Sequence, residues 1–136
     1  MMQRILVPID GTESSWRAFE YAVNMAQCSG GSLVIMTVTS DSARPVPAVV
    51  DGHYAKIGNS VLDAARTFLE DKPLDCTYLL EHDFDVAERI LQAVEDECCD
   101  AVVIGSRGLG AVEGFLKNSI SRTIVEDAPV PVTVVK

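Results

Sequence analysis

From Ala101 to Ser121 the chain reads Ala-Val-Val-Ile-Gly-Ser-Arg-Gly-Leu-Gly-Ala-Val-Glu-Gly-Phe-Leu-Lys-Asn-Ser-Ile-Ser. The first four residues form an aliphatic, β-branched run of the kind that a parallel sheet buries on both faces. Gly105, Gly108, Gly110 and Gly114 follow at once, and Ser119 and Ser121 then open an amphipathic run from Ile120 to Glu126. A strand, a glycine-rich loop and a helix start in that order constrain the fold to an α/β sheet. They also bring several backbone N–H groups toward one anion.

The residue types in this stretch suit phosphate for separate reasons. Glycine lets the backbone take positive φ and approach a ligand with no Cβ in the way. The hydroxyls of Ser106, Ser119 and Ser121 can donate to phosphate oxygens, and a helix N-terminus adds partial positive charge. Arg107 and Lys117 supply full charge. The bland alternative is a glycine-rich surface loop with no ligand. No Gly-Lys-Ser/Thr follows, so this is not the Walker loop, and the dinucleotide G-x-G-x-x-G is absent from the first strand-to-helix turn.

The rest of the chain alternates strands with helices. Arg4 to Ile9 is an aliphatic strand ending in Pro8-Ile9-Asp10, after which Gly11 and Thr12 turn the chain and Ser14 or Ser15 is positioned to cap a helix bearing Trp16, Phe19, Ala22, Val23 and Ala26. Gly30-Gly31 stops that helix and Ser32 to Thr39 forms a second strand, so a right-handed parallel crossover is expected. Ser40 to His53, with Pro45, Pro47 and Gly52, reads as a loop. Tyr54 to Asp71 reads as a helix whose apolar face is Ile57, Val61, Ala64, Ala65, Phe68 and Leu69. Cys76 to Leu80 is a third strand. Asp85 with Glu88 resembles a capping box for a helix carrying Val86, Ile90, Leu91 and Val94. After the strand at Ala101 and the helix ending near Asp127, Val132 to Val135 is the fifth strand. Five strands and four helices fit a doubly wound sheet, of either the flavodoxin-like or the Rossmann-like order, with ligands at the carboxyl ends beside the switch point.

At 136 residues the chain is one domain, residues 1–136, long enough to bury roughly two-thirds of its unfolded surface. The net charge of −9 argues against nucleic acid as a partner. That charge is unevenly spread: residues 1–100 hold 7 Lys/Arg against 17 Asp/Glu, and residues 101–136 hold 4 against 3. Only the part carrying the glycine loop escapes the acidity, which suits a small anion bound locally. No apolar run approaches the ~20 residues of a membrane span. The Met-Met-Gln-Arg opening leads directly into a strand, so a cytoplasmic protein without membrane association is expected. Cys28, Cys76, Cys98 and Cys99 contain no C-x-x-C pair and read as free thiols. His53 and His82 carry no evident chemistry.

The glycine stretch resembles that of the universal stress protein family, whose ATP-binding members carry G-x2-G-x9-G-S/T at this place. Gly105 and Gly108 match the first two glycines, nine residues follow, and Asn118-Ser119 stands where Gly-Ser/Thr is expected. Asparagine tolerates the left-handed backbone region better than most residues, though it brings a side chain toward the phosphates. Ile5 to Thr12 resembles the family's opening and Ala128 to Lys136 its closing strand, so the likeness covers nearly the whole chain. It implies a Rossmann-like, adenine nucleotide alpha hydrolase-like sandwich with strand order 3-2-1-4-5. It further implies ATP, or a related adenine nucleotide with Mg2+, held by Pro8, Ile9, Asp10, Val38, Gly105, Ser106, Arg107, Gly108, Asn118, Ser119, Ile120 and Ser121. Asp10 would take a ribose hydroxyl or a nucleotide-bound Mg2+; the alternative for Asp10 is a turn or N-cap carboxylate before Gly11. Val38 would meet the adenine through its backbone. The family pairs its last strand antiparallel with its own copy, which implies a homodimer through residues 130–135.

No general base or nucleophile motif is evident, so the functional expectation is a nucleotide-binding stress or signalling protein with no catalytic residues. Two other expectations stand beside it: a dimeric interaction protein of the same fold without nucleotide, and a slow ATP hydrolase. A response-regulator receiver would need an acidic pair after the first strand. Here Asp10 stands alone before Gly11.

Overall fold

The computed structural model describes residues 3–40, 53–106 and 119–136. In chain order the elements are β1 (Arg4–Pro8), α1 (Glu13–Ser29), β2 (Ser32–Thr39), α2 (His53–Leu69), β3 (Asp75–His82), α3 (Val86–Asp96), β4 (Ala101–Gly105), α4 (Ser119–Asp127) and β5 (Val132–Val135). The strands form one parallel sheet in the order β3-β2-β1-β4-β5, as the family resemblance implied. Period-two alternation divides its side chains between two faces. Ile5, Val7, Leu33, Ile35 and Val103 pack with Phe19, Ala22 and Ala26 of α1 and Leu62, Ala65 and Leu69 of α2. On the other face Leu6, Val34, Met36, Val102 and Ile104 pack with Ala87, Ile90 and Val94 of α3 and Ile124 of α4. Helices therefore cover both faces, and the strand cores are apolar throughout because neither face meets water.

The helix ends follow local chemistry. Thr12, not Ser14 or Ser15, caps α1: it is extended at φ −74°, ψ 158°, and its Oγ1 accepts from Ser15 N at 3.2 Å. The expected cap is displaced because Gly11, at φ +86°, turns the chain at once and lets Glu13 be the first helical residue. Gly30 closes α1 in the left-handed conformation. Asp85 caps α3 as expected, its carboxylate accepting from Glu88 N at 3.1 Å. The return bond of a capping box is replaced by Asp85 N donating to Asp83 Oδ1 at 3.0 Å.

The inward face of α2 differs from the one its apolar residues indicate. Ile57 and Phe68 are 48 % and 40 % exposed, and Ala64 is exposed, whereas Leu62 is 1 % exposed. Gly58 is the cause. It sits so close to β2 and β3 that an added Cβ would collide with the Leu80 side chain and lie 3.5 Å from Thr39 Cγ2. With Gly58 against the sheet, the residues at helical spacing behind it, Leu62, Ala65 and Leu69, become the buried stripe. Phe68 is left at the flank, where it packs edge-on against Phe19 at 5.4 Å.

A second close approach sets the top of the sheet. A Cβ on Gly105 would lie 2.7 Å from the carbonyl oxygen of Ser14 and 2.9 Å from its carbonyl carbon, so the end of β4 touches the backbone of the first turn of α1. Backbone cannot swing aside as a side chain can. Urea denaturation is expected to show Gly105→Ala destabilised by about 1–3 kcal/mol through that overlap. In the same assay Leu62→Ala is expected to lose about 2–5 kcal/mol and Ile57→Ala to stay within about 0.5 kcal/mol of wild type. The reverse ranking of the two α2 variants would refute the rotated face.

Candidate functional site

The site starts from what Pro8 lacks. Ile9 N donates to Met36 O at 2.8 Å, so Ile9 faces β2, and by alternation the backbone of Pro8 faces β4. Proline has no N–H to give on that side. The β1–β4 ladder spans Ile5↔Ala101 and Leu6↔Val102, near the amino ends of both strands. By contrast, β1–β2 pairing runs through Pro8↔Met36 and β4–β5 pairing through Gly105↔Val135. Each central strand thus stays bonded to its outer neighbour while the pairing between the two runs no further than Leu6↔Val102, and the stretch beyond that pair is the opening between them. Ser106 N donates to Val135 O at 2.7 Å, which turns Ser106 toward β5 and leaves the backbone groups of Gly105 facing β1. The opening lies at the carboxyl ends of β1 and β4, where the chain also changes its winding direction.

Asp10 stands on the β1 side of this opening. Its Oδ1 accepts from Thr12 N at 3.0 Å and from Thr12 Oγ1 at 2.6 Å, while its own N–H donates to Ser15 Oγ at 3.3 Å. Ser15 Oγ in turn donates to Thr12 O at 3.0 Å. The turn-carboxylate arrangement is therefore present, and it fixes the orientation of Asp10 at the carboxyl end of β1. Ile9 is buried, and its carbonyl accepts from the buried Thr37 hydroxyl at 3.1 Å. The sequence marked Thr12 only as a turn residue and Ser15 only as a cap candidate, and it did not single out Thr37. The signal available was the run Asp-Gly-Thr-Glu-Ser-Ser, an Asx turn feeding a threonine cap.

Val38 lies two residues beyond Met36 and so directs its backbone to the same side, past the end of β1 into the opening. Its side chain is half-buried in the core layer under α3 and α4. At the start of α4, Ile120 packs into that layer and Ser121 is completely buried. A ligand would therefore meet Ile120 through its backbone. Arg107, Gly108 and Asn118 lie outside the described residues, as do Gly110, Gly114, Lys117 and most of the loop from Ser40 to His53. The structure thus brings together Pro8, Ile9, Asp10, Val38, Gly105 and Ser106 at one end of the sheet. A glycine backbone edge at the end of β4 and an oriented carboxylate at the end of β1 suit a ligand with phosphates at one end and hydroxyls at the other.

The remaining ionisable groups lie elsewhere. At the amino end of the sheet Arg4 donates through Nε to Glu97 O at 2.7 Å and pairs through Nη2 with Glu97 Oε1 at 3.0 Å, which ties β1 to the end of α3. A cavity of about 380 Å³ there is bounded by Arg4, Ser32, Asp75 and Asp100 among others, at the pole opposite the opening. The cysteines are unpaired thiols, and burial pushes the Cys99 thiol up to about 11. Among the described residues no group of three or more His, Cys, Asp or Glu side chains could hold a metal, and no helix is long and apolar enough to cross a membrane.

Comparison with known proteins bears on the fold and on the family. The model of the universal stress protein family matches residues 1–136. A universal stress protein of Thermus aquaticus, encoded 3′ of a QAH/OAS sulfhydrylase, is 32 % identical over the full length of both chains. Among solved structures, universal stress protein UspA from Lactobacillus plantarum superposes with a TM-score of 0.78 at 23 % identity, covering 98 % of this chain and 97 % of its own. A universal stress protein family protein from Arabidopsis thaliana does so with a TM-score of 0.71 at 20 % identity, covering 98 % and 91 %. The structural likenesses speak for the fold, and the full-length family match speaks for descent: the chain belongs to the universal stress protein family.

Proposed function

We propose that this chain binds an adenine nucleotide, ATP with Mg2+, in the opening between β1 and β4, and acts in stress response or signalling through its nucleotide-dependent state. The observation that carries the reading is the Asp10 carboxylate, oriented by Thr12 at the carboxyl end of β1, together with the backbone of Gly105, which faces β1 beyond the last pair of the β1–β4 ladder. Support comes from two structures of the same fold, the Arabidopsis thaliana protein with AMP bound and a universal stress protein in complex with cAMP, the latter with a TM-score of 0.70 at 21 % identity. In this reading the phosphates lie on Gly105, Ser106, Arg107, Gly108, Asn118, Ser119, Ile120 and Ser121, the ribose or a nucleotide-bound Mg2+ lies at Asp10 beside Pro8 and Ile9, and the adenine lies along the backbone of Val38. Turnover is at most slow hydrolysis, since the described residues around the opening include no nucleophile paired with a general base.

The competing reading is a dimeric interaction protein of the same fold without nucleotide. Its support is that Asp10 Oδ1 already accepts two hydrogen bonds from Thr12. Calorimetric titration with ATP and Mg2+ separates the two. Wild type is expected to bind, Gly108→Val to lose binding because a branched side chain enters the phosphate path, and Asn118→Gly to bind more tightly by up to about fivefold, since glycine adopts the left-handed backbone at lower cost than other residues by roughly 1 kcal/mol. Binding unchanged in a folded Gly108→Val protein would sink the assignment.

We also propose a homodimer through residues 130–135. β5 is an edge of the sheet, its sequence Val-Thr-Val-Val carries no charge until Lys136, and Val134 is exposed. An uncharged edge strand invites pairing, and an isologous contact across a two-fold axis closes without propagating. Light scattering is expected to report a dimer for wild type and a monomer for Val134→Pro: Val135 O accepts from Ser106 N, so Thr133 and Val135 face β4, and the proline deletes a donor that faces outward. A monomeric wild type, or a dimer indifferent to the proline, excludes this interface.

A further inference from the structure

Phe84 is 77 % exposed, more than any other large apolar side chain described. Single exposed aromatics are ordinary on protein surfaces, so the exposure alone carries nothing. The position does. Phe84 lies in the turn between β3 and α3, and that turn is bonded to the end of β2: Asp83 N donates to Thr39 O at 3.1 Å, and Ser40 Oγ donates to Phe84 O at 3.4 Å. The backbone of Phe84 is thereby held at the carboxyl rim of the sheet, next to the end of the strand that carries Val38.

Helix capping does not account for the ring. An apolar residue just before an N-cap ordinarily packs against the fourth helical residue. Here the cap is Asp85 and the fourth residue is Arg89, whose guanidinium is paired with Glu81 at 3.3 Å and Asp96 at 3.7 Å. Val38 and Val86, meanwhile, pack into the same core layer. The rim between β2 and α3 is therefore apolar at its base, and an aromatic side chain with no stapling partner stands on its edge.

We infer that Phe84 is the base-stacking residue of the site: its ring covers one face of the adenine whose edge runs along the backbone of Val38. This rests on the nucleotide reading proposed above and adds to it the origin of selectivity for a nucleobase over bare phosphate. A purine offers hydrogen bonds at its edge and π-faces above and below, so a backbone edge alone leaves those faces in water. A neighbouring ring removes them from water without demanding a particular hydrogen-bond pattern.

The test is a pair of titrations on the full chain, with Mg-ATP and with magnesium tripolyphosphate, for wild type, Phe84→Ala and Phe84→Trp. Phe84→Ala is expected to weaken ATP binding about tenfold or more, the scale of removing one base-stacking ring, and to leave the affinity for tripolyphosphate unchanged. Phe84→Trp is expected to hold the wild-type affinity for ATP. If wild type binds ATP and Phe84→Ala binds it equally well, the inference falls and the nucleotide reading stands. Equal losses for ATP and tripolyphosphate also overturn it, since they report a disturbed rim and not a lost stack. A wild type that binds no ATP overturns the nucleotide reading and this inference together.

Discussion

The N–H that Pro8 lacks decides where the ladder between the two central strands stops. Parallel strands hold together through evenly spaced donors and acceptors, and every other residue of β1 must supply its pair toward β4. Pro8 falls on that side, and the ladder with β4 runs at Ile5 and Leu6 while the outer ladders continue to the strand ends. A proline is usually confined to sheet edges because it removes a ladder bond. At the centre of this sheet the missing bond coincides with the switch point, where α1 and α2 lie on one face and α3 and α4 on the other. No helix connects β1 directly to β4; α1, the continuation of β1, instead lays its first turn against the end of β4 at Gly105.

Two contacts then make the gap a defined shape. Gly105 brings the end of β4 onto the carbonyl of Ser14, which fixes the first turn of α1 against it. Gly11 turns the chain so tightly that Thr12 both caps α1 and holds the Asp10 carboxylate. The same threonine hydroxyl donates to Asp10 and accepts from Ser15 N, so the orientation of the carboxylate and the start of the helix are coupled. A group oriented by the scaffold before any ligand arrives loses less freedom on binding. Thr37 adds a third tie by donating to Ile9 O from beneath.

Much of this was legible in the residues. The aliphatic runs located all five strands, β2 and β5 to the residue, and the Asp85–Glu88 pair located the start of α3. The strand order needed the family resemblance, because alternation of strand and helix fits more than one winding. Three features escaped for physical reasons. Thr12 was overlooked as the cap because serine and threonine are near-equal candidates until the backbone angle of Gly11 is known. The face of α2 was misjudged because apolar counting gives glycine no weight, yet the residue without a side chain is the one that approaches the sheet most closely. Phe84 was passed over because a lone aromatic in a turn has no periodicity; only the bonds from Thr39 and Ser40 reveal which rim it occupies.

The two edges of the sheet are protected unequally. β3 is twice as long as β5, but it carries Asp75 at its start and Glu81 near its end, and basic side chains close over it from both layers. The guanidinium of Arg66, from α2, lies 4.6 Å from the centre of the Tyr78 ring, and Arg89, from α3, pairs with Glu81. Charges along an edge make strand addition costly because each must be desolvated or matched by the incoming chain. β5 has no comparable residue between Val132 and Val135, and its valines continue the apolar layers of the core, Val132 on the α4 face and Val135 on the α1 face. A strand added there would extend both layers at once and meet no charge. That asymmetry makes β5 the edge at which a second copy is expected, and because β5 lies outside β4, pairing there leaves the opening beside β1 clear.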